Sequence, residues 1–232
     1  MAPAWLPRFE LDQKISVIAL ITFVMSAASL IWQGVNSWQG ATVRMINPDQ
    51  IEIGSTEAFA LKSRDDGSYA NFIVAAIYVN ESAGGYNETI LRERLTIRFK
   101  DGPEIEHRNY WSVTSDLDLK DRNVIKLTKV KDALPFHLLA GTSESHDTLF
   151  QPWPKLCAPG DAKCSARDNY MTWPAFVALL TAKHEIEFIV TGDTASGKTV
   201  IAARCTVKID GRALANLIAK GWGSPVCLNA TP

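Results

Sequence analysis

From Ile15 to Val35 the chain carries no charged residue: ISVIALITFVMSAASLIWQGV. As a helix, this run rises about 30 Å, the depth of a bilayer's hydrocarbon layer. Soluble helices rarely hold so long an uncharged stretch. A transmembrane helix is therefore expected over 15–35, with residues 1–14 as a cytoplasmic stub and 36–41 as a polar linker. Trp32 and Trp38 lie near its C-terminal end, where amphipathic rings favour the interface. Arg8 and Lys14 precede it, which favours a cytoplasmic N-terminus. A buried core helix is one competing reading. A cleavable signal peptide is another, because Ser26-Ala27-Ala28 offers small residues after the apolar run from Ile15 to Met25. Glu10 and Asp12 before the run, and apolar character through Ile31, favour an uncleaved signal anchor.

The four cysteines are Cys157, Cys164, Cys205 and Cys227. Loop-closure entropy favours pairing near neighbours, so Cys157 with Cys164 and Cys205 with Cys227 are the expected disulfides. Free buried thiols are the alternative. Disulfides place residues 42–232 outside the cytoplasm, in the periplasm if the source is bacterial. Neither cysteine spacing, nor any His beside it, suits zinc, so no metal is expected. Sequons occur at Asn80, Asn87 and Asn229.

The body after the linker reads as short strands between turn signals. Strands are expected within 42–47, 50–53, 68–80, 91–100, 123–134 and 135–141. Over 91–100, Leu91, Leu95, Ile97 and Phe99 share one face with Glu93 as the exception, while Arg92, Arg94, Arg98 and Lys100 share the other. A three-residue loop at 101–103 would set Phe99 opposite Ile105, Lys100 opposite Glu104 and Arg98 opposite Glu106. Residues 151–172 are expected as a long irregular loop. Two short helices follow, one capped by Thr172 with Pro174 in its first turn, the other starting after Asp210 and stopping at Gly221. The expected fold is an Ig-like β-sandwich with these helices at its edge.

Gly192 to Thr199 fits the phosphate-loop pattern G-x-x-x-x-G-K-[ST]. That loop works only where a helix follows and aims its N-terminus at the anion. Thr199, Val200, Ile201, Thr206, Val207 and Ile209 are β-branched, and alternate residues from Thr199 to Ile209 share an apolar face. Residues 184–210 are therefore expected as a β-hairpin, with positive φ at Gly197, and no nucleotide is expected.

Other chemistry is sparse. Ser145, His146 and Asp147 are consecutive, so their side chains cannot line up as a triad, and local polar turn chemistry accounts for them. His107, His137, His146 and His184 form no ligand pair in sequence. Arg92, Arg94 and Arg98 form a basic stripe that is either an anion-contacting surface or a solvated face. Phe150 and Trp153 are either a contact surface or a cap on the core. The charge balance, 24 − 25 = −1, argues against a nucleic-acid partner. No cofactor is expected. The expected function is a single-pass, membrane-anchored binding or scaffold protein of the cell envelope, non-enzymatic, with other envelope proteins as partners. The alternative is an envelope hydrolase with a site assembled from His146, His137, Asp147 and Asp168.

Overall fold

The computed structural model describes residues 13–62, 67–82, 85–117, 124–132, 135–154, 170–197 and 200–228. Residues 1–12, Cys157, Cys164, Asp168, Lys198, Thr199 and Asn229 therefore lie outside the described residues. The chain divides into two units, Met1–Gly40 and Ala41–Pro232.

Among the described residues, the first unit is a single helix, α1 (Gln13–Gln39). Val17–Val35 is long and apolar enough to cross a membrane, and none of its side chains is buried. The helix runs past Val35 through Gln39, so most of the expected linker is helical. Nothing in the polar residues Asn36 and Gln39 breaks a helix, since neither proline nor glycine intervenes before Gly40.

The second unit is mainly β. In chain order its elements are β1 (Val43–Ile46), β2 (Ile51–Ser55), β3 (Ala70–Asn80), β4 (Glu88–Phe99), β5 (Glu104–Leu117), β6 (Ile125–Asp132), β7 (Phe136–Leu138), β8 (Ser143–Pro152), α2 (Trp173–Lys183), β9 (Glu185–Thr194), β10 (Val200–Lys208), α3 (Gly211–Lys220) and β11 (Trp222–Gly223). All the strands belong to one antiparallel sheet, in the order β10-β9-β4-β5-β8-β3-β2-β11, with β1 on β3, β6 on β5 and β7 on β4. The pairing does not divide the strands into two separate sheets, so the Ig-like sandwich expected from the sequence is not established. What is established is a curled antiparallel sheet.

The curl is visible in contacts between strands far apart in that order. At Gly192 of β9 an added Cβ would lie 3.2 Å from the Tyr78 ring of β3, and 3.1 Å from Ile201. The apolar faces of both halves meet inside, where Phe72 packs edge-on to Phe176 and His107 and against Phe188. A smaller cluster forms on the outer face. A bulge shifts the β5–β8 register between Asn109 and Trp111. Beyond it β5 stays paired with β8 through Val113 and takes β6 on its other edge, and Val113 and Ile125 cover Phe59, Ile73 and Leu149. Ser115 of β5 thus donates to Glu52 of β2 at 3.0 Å, although two strands lie between them in the sheet.

The 184–210 segment is a β-hairpin, with Val200 opposite Asp193 and Lys208 opposite Glu185. Ile201, Ala203, Cys205, Val207 and Ile209 are buried, and Gly197 turns with φ +65°. Both helix caps match their sequence signals. The Thr172 hydroxyl accepts from the Ala175 amide, Asp210 accepts from Ala213, and Gly221 closes α3 at φ +74°.

Three expectations need correction. The turn after β4 is longer than expected: Ile97 lies opposite Ile105 and Arg98 opposite Glu104. Gly102 donates to the Phe99 carbonyl and Phe99 to the Pro103 carbonyl, so on the β5 side Phe99 closes the turn, while on the other side it still pairs with Ile186 of β9. The slip is two residues, which leaves every side chain on its expected face. Leu91 points outward, 46% exposed, because a register irregularity between Ile90 and Arg92 turns Ile90 inward instead. Residues 143–150 are not a polar turn but most of β8, a strand with β3 on one side and β5 on the other.

Candidate functional site

Glu93 is the exception in its strand because it points into the interior. It is 1% exposed and sits on β4 between the end of the β4–β5 ladder at Arg94 and the start of the β4–β7 ladder at Ile90. Residues 91–93 are a fork in the sheet, where β5 and β7 part along one edge of β4. Across the interior, β3 and β8 direct polar side chains at this carboxylate. The Tyr78 hydroxyl donates to Oε1 at 2.6 Å and the Thr148 hydroxyl to Oε2 at 3.0 Å. The His146 Nε2 lies 3.6 Å from Oε2, with the imidazole 6% exposed. That ring stacks on Tyr78 and meets Phe136 of β7 edge-on, and its Nδ1 is buried without a hydrogen-bond partner.

Burial, then the neighbouring Glu93 charge, holds the Tyr78 phenol well above its ordinary range, so it stays a donor. A buried carboxylate needs such donors, because leaving it underbonded costs several times a neutral hydrogen bond. Tyr78→Phe is therefore expected to lower stability by about 2 kcal/mol in a urea melt, while Phe136→Leu, which removes ring contacts with Tyr78 and His146 but no hydrogen bond, should cost less.

His146 and Thr148 face inward and Asp147 outward, as alternation on a strand requires, so Ser145, His146 and Asp147 do not assemble. Asp147 instead faces the outer cluster near Glu52. Burial raises the Asp147 carboxyl, partly opposed by the His146 charge. Burial likewise raises Glu52, with the Ser115 bond opposing and the Asp147 charge adding. A raised acid makes the fold less stable as pH climbs through its folded pKa. Glu52→Gln is thus expected to raise the midpoint of thermal melting at pH 7, with the gain disappearing below the ordinary Glu range near pH 4.

The remaining histidines are scattered. His137 is exposed beside the Thr89 hydroxyl at 2.9 Å, and does not join the Glu93 cluster. His184 caps α2 in the left-handed region. His107 is fully buried, with Nε2 3.1 Å from the Ala70 carbonyl. A carbonyl only accepts, so Nε2 carries the proton. Among the described residues, no group of three or more His, Cys, Asp or Glu could hold a metal ion.

The arginine stripe is one column of an alternating charge pattern on the outer face. From β10 to β5 the columns run basic, acidic, basic, acidic. Arg204 meets Glu187 at 2.9 Å, Glu187 meets Arg98 at 3.2 Å, and Arg98 meets Glu104 at 2.9 Å. Arg94 meets Asp193 at 2.8 Å, and Arg92 lies opposite Asp193 in the register. Each exposed pair contributes little to stability, but together they leave Arg94 and Arg98 already countered. Phe150 is fully buried in the core and is no contact surface, because β8 continues through it and turns it inward. Trp153 is 38% exposed, with the Arg108 guanidinium 5.5 Å from its ring centre. Of the sequons, Asn80 is buried, donating to the Tyr86 and Leu138 carbonyls, whereas Asn87 is exposed.

Sequence reasoning marked Glu93 as an irregularity and missed its partners on β8. The available signal was a carboxylate at inward parity in an otherwise apolar strand face. No protein-family model matches this sequence, and no curated protein matches it.

Proposed function

We propose that this chain is a single-pass, membrane-anchored binding or scaffold protein of the cell envelope, acting without catalysis, with its β body outside the cytoplasm. The observation that carries this reading is α1. Val17–Val35 is an apolar helix long enough to span a bilayer, with its side chains unburied, attached to a body that has its own core. The Cys205–Cys227 disulfide supports an oxidising compartment, periplasmic in a bacterium. The polar groups at the fork serve one another: both oxygens of Glu93 accept from protein hydroxyls, which suits a structural role. Other envelope proteins are the partners this reading implies, with no nucleotide, nucleic acid or cofactor.

Protease added to the outside of intact spheroplasts should digest the body and leave a membrane-embedded fragment containing α1. Cys205 and Cys227 should resist alkylation until reductant is added. Digestion only after the membrane is opened, together with free thiols, overturns the placement.

A hydrolase is the second reading, favoured by His146 lying beside the Glu93 carboxylate, which also accepts from the Thr148 hydroxyl. Hydrolysis of a small activated ester that falls to background in His146→Gln would support it. Equal background rates in both proteins would end it.

A further inference from the structure

The curled sheet closes without a ladder. β10 ends the strand order on one side, and β1 and β2 lie on β3 at the other. Nine register pairs hold β10 to β9, but among the described residues no strand pairs with its other edge. The contacts by which that edge meets the rest of the sheet include two hydrogen bonds. The Arg204 amide donates to Asn47 Oδ1 at 2.9 Å, and the Leu228 amide donates to the Thr206 carbonyl at 2.7 Å. The Cys205–Cys227 disulfide lies between them, with Cα atoms 4.9 Å apart. The segment carrying Cys227 is itself tied to the β2 side, because Ile51 donates to Pro225 and Cys227 to Asp49 at 3.2 and 2.8 Å. The covalent bond therefore joins one end of the strand order to the other.

We infer that the Cys205–Cys227 disulfide is a redox-sensitive clasp on this seam, and that its reduction by a dithiol frees the β10 edge while the β9–β4 ladder persists. Both sulfurs are buried, so the 225–228 segment must lift first; Val226 and Leu228 beside Cys227 are already exposed. One thiolate of the dithiol attacks a protein sulfur, giving a mixed disulfide and one cysteine thiolate. The second thiolate of the reductant displaces the other cysteine. Two electrons and two protons pass to the protein, leaving two thiols and an oxidised, cyclic reductant. What opens is an unpaired strand edge, the kind of surface that accepts an added strand. The inference does not depend on the membrane or envelope placement, since it concerns the body alone.

The test is native-state hydrogen exchange on the full-length protein in mild detergent, across a urea series, before and after dithiothreitol. In the oxidised protein, the Arg204 and Leu228 amides should exchange together with the β9–β4 ladder and share its urea slope. After reduction these two should exchange at least about tenfold faster than the ladder, with a shallow urea slope that marks local opening. Cys205→Ala combined with Cys227→Ala should reproduce this without reductant. If seam and ladder amides still exchange together on one steep slope after reduction, the bond only adds global stability and the clasp is wrong. The same holds if the doubly substituted chain loses all protection.

Discussion

Replacing Cys205 and Cys227 together with alanine is expected to lower the free energy of unfolding by about 3 kcal/mol. The bond closes a 22-residue separation, and the unfolded chain regains that loop's freedom when it is absent. Both cysteines are buried in the core, so the small volume lost adds to the effect rather than opposing it. Chemical denaturation of the variant and of the oxidised protein, both in detergent, measures the difference. A change below about 1 kcal/mol would mean that the C-terminal segment is held in place by its backbone bonds to β2 and β10 alone.

Acidification from pH 6.5 to 4 is expected to remove nearly as much stability through one residue. Burial pulls the His107 imidazole down from 6.5 to about 4, against the bond to the Ala70 carbonyl. The folded protein therefore holds His107 neutral where the unfolded chain protonates it. Its contribution is complete above pH 6.5 and is lost as pH falls towards 4, reaching about 2 kcal/mol at pH 5 and about 3 kcal/mol below pH 4. Glu52 and Asp147 act in the opposite sense over the lower part of this range, because their raised carboxyls protonate more readily in the fold. Denaturation at several pH values separates the two. In Glu52→Gln the acid-side loss should steepen. In His107→Leu it should flatten, at the expense of a lower stability at pH 7 where the Ala70 carbonyl loses its donor. A profile that is flat from pH 6.5 to 4 in both the wild type and Glu52→Gln would show that the imidazole is reached by water in the native state.

Sequence patterns located the elements whose local chemistry agrees with their setting. The apolar run gave α1, Thr172 and Asp210 gave the two caps, and β-branched alternation gave the β9–β10 hairpin. Pairing of Cys205 with Cys227 also followed from proximity along the chain. Features decided by distant partners were not legible. Phe99 alternates as a strand residue and pairs with Ile186 of β9, but its bonds to Gly102 and Pro103 take it out of the β4–β5 register. Leu91 looks inward by parity until the irregularity beside it reverses the phase. The largest omission was β8. Its run Ser143-Glu144-Ser145-His146-Asp147 has the composition of a loop, because polar groups are wanted on both of its faces: His146 and Thr148 towards Glu93, Asp147 towards the outer cluster. The candidate site was correspondingly half visible, as one misplaced carboxylate without the hydroxyls that explain it.

The two invariant glycines of the nucleotide signature have separate geometric duties in this chain. Gly192 leaves a gap that the Tyr78 ring fills on its way to Glu93, so any larger residue there would press on the aromatic. Gly197 supplies a left-handed bend in the turn that leads to the buried Ile201 of β10. Interior fit and loop curvature thus put glycines at the same interval as in an ATP-binding fingerprint.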